Sequence, residues 1–171
     1  MVKFFQDTFR QGGDDALNTA PVFAAQIVAE DRPFTELFTA ESGNCPTYDA
    51  ETNTFTPGEC DNGVEQAGVL TNPGTMAHYY SNMGFRRVRW VQEIFACSKF
   101  PAEYAEAPTE IDGKDYTSPW EFGTIATAPI NFQDTSAVVC ANCHTSMNHI
   151  VPLFANFDAG GNFQDSIQVM T

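Results

Sequence analysis

The sequence predicts a mainly α-helical fold: about five helices, long irregular loops and at most a small β-hairpin. Three observations carry this expectation. Apolar residues recur at i, i+3, i+4 spacing in several short stretches, the pattern of one helix face. Helix-start residues and Gly or Pro stops bracket those stretches. The 171 residues, 43% of them hydrophobic and 15 of them Phe, suffice for one domain over 1–171 with a real core.

The elements follow in order. Phe4, Phe5 and Phe9 have helical spacing, with Gly12-Gly13 as a stop. A second helix is expected over 21–31, with Thr19 near its cap and Pro21 in its first turn. Phe34, Leu37 and Phe38 form a short third. Residues 41–63 are dense in turn formers and read as an irregular surface loop. A disulfide between Cys45 and Cys60 would close about 15 residues there and contribute on the order of 3 kcal/mol. Such a bond implies an oxidising compartment; two free thiols are the alternative. The acids and amides of this loop (Asp49, Glu51, Asn53, Glu59, Asp61) lack the ordered spacing of a calcium loop, so calcium is not expected.

Asn72-Pro73 is a helix start, an Asn cap followed by Pro at the first position. The helix from Asn72 would carry Met76, His78, Tyr79, Tyr80 and Met83, with Gly84 ending or bending it. Phe85, Val88, Val91, Ile94 and Phe95 then share a stripe, with Arg86, Arg87 and Arg89 off it. Residues 98–133 are rich in Pro, Thr and acids and read as a wrapping segment, the place for a short hairpin. A last helix begins near Asp134 or Ser136 and is broken at Pro152.

Charge narrows the partners. The formal net charge is −14, from 22 acids against 8 bases. Nucleic acid and anionic lipid both require a basic face, so neither is expected. No stretch reaches the roughly 18 apolar residues of a membrane span. The start, Met1-Val2-Lys3-Phe4-Phe5, lacks the long apolar segment of a secretory signal. Export would therefore require that a signal has been removed. Acidity keeps a protein soluble, the plainer reading, and also attracts a basic partner over distance.

The strongest chemical signal is Cys140-Ala-Asn-Cys143-His144, the C-x-x-C-H pattern of covalent haem c attachment. Two thiols add to the vinyl groups along one porphyrin edge, and two residues between them set that separation. The next residue presents its imidazole to the iron from the same side. Two other readings exist. Zinc could use Cys140 and Cys143 with His149 and Cys97. A redox dithiol would want a βαβ context, which is absent. Both leave the placement of His144 to coincidence.

The sixth iron ligand is open. Met83 and His78 lead, with Met76 beside them on the 72–82 helix. Met147 and His149 share the helix of the motif and suit packing or surface, while Met170 lies in the tail. Cys97 could ligate as a thiolate, although a buried structural thiol is the plainer reading. The position could also be vacant. Arg86, Arg87 and Arg89 are suited to the haem propionates, because a guanidinium pairs bidentately with a carboxylate. A solvated helix face pairing with acids is the equal alternative.

Three stretches carry a family resemblance: AEDRPFTELFTAE (29–41), AGVLTNPGTMAHYYSNMGFRRVRWVQEIFAC (67–97) and CANCHTSMNHIVPLFANFDAGGNF (140–163). Together they resemble the C-terminal portion of large, mostly uncharacterised secreted bacterial proteins with cytochrome-c-like domains. In that group a GVLT stretch leads into an Arg-containing helix ending in Cys, and a later haem motif precedes an M-D-P-x-G … E-N-F-D-x-x-G run. Met147, Asn156, Phe157, Asp158 and Gly161 match that run. Asn148, His149 and Val151 depart from it, and His149 adds a ligand type. The resemblance implies a helical haem-bearing module in an extracytoplasmic setting, and a place within a larger architecture, but no reaction.

The expectation is an extracytoplasmic monohaem c-type cytochrome, periplasmic or extracellular, with five helices around one covalent haem c. It would transfer single electrons, as a carrier or as a subunit of a larger assembly, to a redox partner with a basic docking face. In an extended array His149 could serve a neighbouring haem. A haem enzyme of the peroxidase or sulfur-compound oxidase type, with open or thiolate-ligated iron, is the alternative. A zinc-binding structural module is the second.

Overall fold

The computed structural model describes residues 1–13, 15–80, 84–97, 109–111, 114–116, 147 and 149–166. Among them the protein is mainly helical, with five α-helices and two small antiparallel hairpins. None of these helices is long and apolar enough to cross a membrane.

Helix α1 (Val2–Phe9) buries Phe5 and Phe9, four apart on one face, and leaves Phe4 exposed. It ends one turn before the expected Gly12-Gly13 stop. Arg10 takes the left-handed conformation (φ 54°) and closes the helix. Helix α2 (Thr19–Ala29) is buried from Ala20 to Ile27, nearly all round, as a central helix must be. It starts at Thr19, so Thr19 is no cap. Its hydroxyl instead donates to Asn72 Oδ1 (2.8 Å), a tie to a distant element. Helix α3 (Glu36–Thr39) is a single turn seating Leu37 in the core.

The 41–63 segment is more ordered than its composition suggests. Strands β1 (Thr47–Asp49) and β2 (Thr54–Thr56) pair in register Thr47↔Thr56, Tyr48↔Phe55 and Asp49↔Thr54. The Asp49 carboxylate accepts from the Glu51 and Thr52 amides and fixes the turn between them. The Cys45–Cys60 disulfide is present. Further on, β3 (Thr109–Ile111) and β4 (Lys114–Tyr116) pair antiparallel inside the 98–133 segment, where a hairpin was expected.

Helix α4 (Pro73–His78) begins where Asn72-Pro73 predicts. Asn72 Oδ1 accepts from the Gly74 and Thr75 amides. It ends at His78, short of residue 82, so Tyr79 and Tyr80 lie beyond it. Helix α5 (Phe85–Ile94) starts after Gly84, whose φ of 93° turns the chain into it.

Two apolar clusters meet at α5, Trp90 lying in the first and Val88 in the second. The first gathers Phe5 and Phe9 of α1, Phe23 and Ile27 of α2, Leu37, Val69, Tyr79 and Trp90. Its rings pack edge to face (Phe9–Trp90, 5.8 Å) and stacked (Tyr79–Trp90, 5.5 Å). The second gathers Met76, Val88, Met147, Phe154 and Phe157. Buried Phe residues here serve ordinary packing between helices.

Candidate functional site

Cys140, Cys143, His144 and Met83 lie outside the described residues, as does Met170. The described residue next after the Cys-Ala-Asn-Cys-His motif is helical Met147, three positions beyond His144. Met147 is buried, 6% exposed, against Met76, Val88, Phe154 and Phe157. His149, two residues on, is exposed. Met147 therefore packs, and the segment following the motif is anchored in the second core.

The three arginines of α5 separate. Arg87 is 1% exposed, on the inward side four residues before Val91. All five of its N–H groups donate to backbone carbonyls. Nε (2.9 Å) and Nη2 (2.6 Å) reach Met76 O. Nη1 reaches Phe154 O (2.8 Å) and Phe157 O (2.9 Å), and Nη2 also reaches Asp158 O (3.0 Å). Its plane lies over the Tyr80 and Phe157 rings. Burial lowers its pKa to about 10, which leaves it charged at neutral pH. No donor remains for a haem propionate, so that expectation is corrected for Arg87. The guanidinium instead ties α4 to the chain that follows Met147.

Those carbonyls belong to a tightly built turn. Phe157 and Phe163 form a β-bridge, and the Asp158 carboxylate accepts from the Gly160 (2.8 Å) and Asn162 (2.9 Å) amides. The backbone amide of Asn162 is the largest cause of a lowered Asp158 pKa. Asn62 joins this turn to the middle of the chain: its Nδ2 donates to Thr71 O and Gly161 O. Gly161 stands at φ 80°, where an added Cβ would collide with the Pro73 carbonyl. The GVLT and NFDAGG stretches are thus packed on one another through α4.

Arg86 and Arg89 face the other way. With Arg10, His78, Tyr79, Trp90, Glu93 and Ile94 they line a surface pocket of about 260 Å³. Glu93 bridges Arg10 (Nη1–Oε2, 2.8 Å) and Arg89 (Nε–Oε1, 2.8 Å). Burial raises the Glu93 pKa, but the two arginines together outweigh it and hold the group below its ordinary value. Arg86 lies over the Tyr79 ring, 5.7 Å from its centroid. His78 packs edge-on to Tyr79. Desolvation first, and the Arg86 charge second, lower the His78 pKa. His78 follows Met76 by two residues, so the two lie on roughly opposite sides of α4. Met76 meets Met147 while His78 meets the arginines.

Cys97 is exposed at φ 54°, three residues beyond the end of α5. The buried structural thiol expected there is corrected: the helix ends before the cysteine can turn inward. Among the described residues no group of three or more His, Cys, Asp and Glu could hold a metal ion. In the disulfide loop, Asn53 accepts from the Tyr48 hydroxyl and Glu59 from the Gly43 amide, both local structural duties.

Sequence reasoning missed the Arg87 clamp, the asparagine ties and the contribution of Arg10. For Arg87 a signal existed: its four-residue spacing to Val91 puts it on the buried side. For Arg10 there was none, since α1 and α5 meet only in the fold. No curated protein matches the chain, and no solved structure does. A family model, PSCyt3, described as a protein of unknown function (DUF1588), matches residues 66–167. That span takes in α4, α5, the Cys-Ala-Asn-Cys-His motif and the turn that Arg87 clamps, more than half of the chain, and the protein belongs to the PSCyt3 family.

Proposed function

We propose that the chain is an extracytoplasmic monohaem c-type cytochrome that transfers single electrons, as a carrier or as a subunit of a larger assembly. The observation that carries this reading is Cys140-Ala-Asn-Cys143-His144 directly preceding a segment rooted in the core at Met147. The donor set fits haem c, with two thiols for the vinyl groups and an imidazole for the iron. When bound, the haem supplies an iron that cycles between Fe(III) and Fe(II). The chain's own share is to hold the imidazole steady and to exclude water around it.

Three residues of chain reach about 10 Å at most. Burial of Met147 therefore supports a haem lying against the Met76–Met147–Phe154 cluster. The Arg87 clamp braces that segment from behind. Of the described candidates for the sixth position, Met76 shares this cluster, whereas His78 looks into the arginine pocket. Met83 remains a candidate outside the described residues. Arg86 and Arg89, also turned toward that pocket, serve the propionates only if the haem edge extends around α5. The Cys45–Cys60 disulfide supports an oxidising compartment, periplasmic or extracellular. The −14 charge supports a partner with a basic docking face.

The test is a pyridine haemochrome spectrum with intact mass of the protein from its native source. One haem added to the chain mass is expected. Free thiols at Cys140 and Cys143 with no Soret band would overturn the reading. Low-spin spectra indifferent to carbon monoxide separate electron transfer from catalysis at an open iron.

A further inference from the structure

The arginine pocket stands apart from the haem reading. Around α5, Arg86, Arg89 and Glu93 share one side, and Arg87 and Val88 the other. The pocket gathers three of the chain's eight bases into one concavity of a protein whose net charge is −14. Its walls come from three separate parts of the fold: Arg10 beyond α1, His78 and Tyr79 at the end of α4, and the outer face of α5.

We propose that this pocket binds a small dianionic oxyanion, phosphate or sulfate, free or as the terminal group of a small ester. Charge sets the valence. Three guanidiniums against one carboxylate leave two positive charges, which a dianion neutralises and a carboxylate monoanion does not. Geometry supplies the donors. Glu93 engages Arg10 only through Nη1 and Arg89 only through Nε. Each guanidinium therefore keeps further N–H groups, and Glu93 holds both near a common point. Among the described residues Arg86 makes no ion pair, and it rests on the Tyr79 face at the pocket, where a guanidinium fork suits oxyanion oxygens. The floor of Tyr79 and Trp90 is apolar, because their polar atoms already donate to the Phe9 carbonyl. Charges above such a floor are screened less than in open water. The volume, about 260 Å³, lies just below the roughly 300–1,000 Å³ of pockets for drug-sized ligands, so it suits a compact anion and excludes a macrocycle.

The test is isothermal titration of the full chain with inorganic phosphate, with ionic strength held constant by chloride. One phosphate per chain is expected, displaced by sulfate and weaker for acetate. Arg86→Gln and Arg10→Gln should each weaken binding about tenfold or more, the worth of a charge-assisted hydrogen bond. Arg32→Gln, which is remote from the pocket, should leave it unchanged. A simple phosphomonoester binding more tightly than phosphate assigns the site to esters, and the reverse order to the free ion. Circular dichroism confirms that each variant is folded. Heats no different from those of chloride, or binding that both Arg86→Gln and Arg10→Gln retain, would sink the proposal.

Discussion

Arg87 is a buried cation whose partners are carbonyl dipoles rather than a carboxylate. Four carbonyls from two segments about eighty residues apart rely on it. Arg87→Met would keep much of the volume and strip every donor, leaving those carbonyls buried and unsatisfied. The expected loss is about 3–5 kcal/mol, read as a lower urea midpoint. Arg87→Lys should recover only part, since one ammonium offers three donors where the guanidinium offers five. An equal loss for both variants would show that the five-donor fork, not the charge, is what matters. Asn72 is comparable: fully buried, it accepts from Gly74, Thr75 and Thr19 and donates to Asn44 O. His78 belongs to the same scale. Its folded pKa lies below its ordinary 6.5, so the unfolded chain binds that proton more readily. Its contribution is therefore complete above about pH 6.5 and is lost as pH falls through that value toward the folded pKa. The charges facing it, Arg10, Arg86 and Arg89 against Glu93, are net positive, in keeping with this direction. The urea midpoint should fall between about pH 7 and 5, and less steeply in His78→Gln.

The elements are short and hold through their junctions. Helix α1 leaves carbonyls unpaired at its end, and the Phe9 carbonyl accepts from both the Tyr79 hydroxyl and the Trp90 indole. Burial pushes the Tyr79 hydroxyl up to about 12, so it remains a donor. The disulfide loop docks through Asn72, whose amide donates to Asn44 O beside Cys45. Replacing Cys45 and Cys60 with Ala should cost about 3 kcal/mol in thermal or urea unfolding. Little change would mean that the docked loop is already constrained without the bond. Gly68 stands at φ 53° with the Leu37 carbonyl where a Cβ would be, and its amide donates to Ala40 O. Gly68→Ala should therefore destabilise by about 2 kcal/mol or more, with α3 displaced. Hydrogen exchange at residues 37–40 would reveal the displacement.

At the scale of the whole molecule, the acidic surface and the buried arginine divide the electrostatics. Under the electron-transfer reading, the rate with a basic redox partner should fall about tenfold or more as salt rises from 0.01 to 0.15 M, because the screening length shrinks from about 30 to 8 Å. Stopped-flow kinetics would measure it, and a flat salt profile would exclude electrostatic docking. Much of the architecture was legible in order and type. The helices at Phe4–Phe9, Asn72-Pro73 and Phe85–Ile94, and the cross-link of Cys45 to Cys60, rest on local spacing and turn chemistry. The β1–β2 hairpin was not, because its strands are three residues each, too short for an alternating pattern to stand out among the turn formers around them. The ends of α1 and α4 shifted because a left-handed Arg10 and the docking of Tyr79 stopped them early.

The linear chain alone determined the helical class, the acidity and the spacing of two thiols and an imidazole at 140–144, since each depends on residues near one another or on composition. Tertiary structure decided which way each arginine of α5 turns, and what it meets. Arg86, Arg87 and Arg89 are chemically alike and nearly adjacent, yet Arg87 donates two hydrogen bonds to Met76 and three to carbonyls about seventy residues away while the others join Arg10 around a pocket. A side chain's partners are fixed by what the fold brings within about 3 Å of it, and no local pattern carries that information.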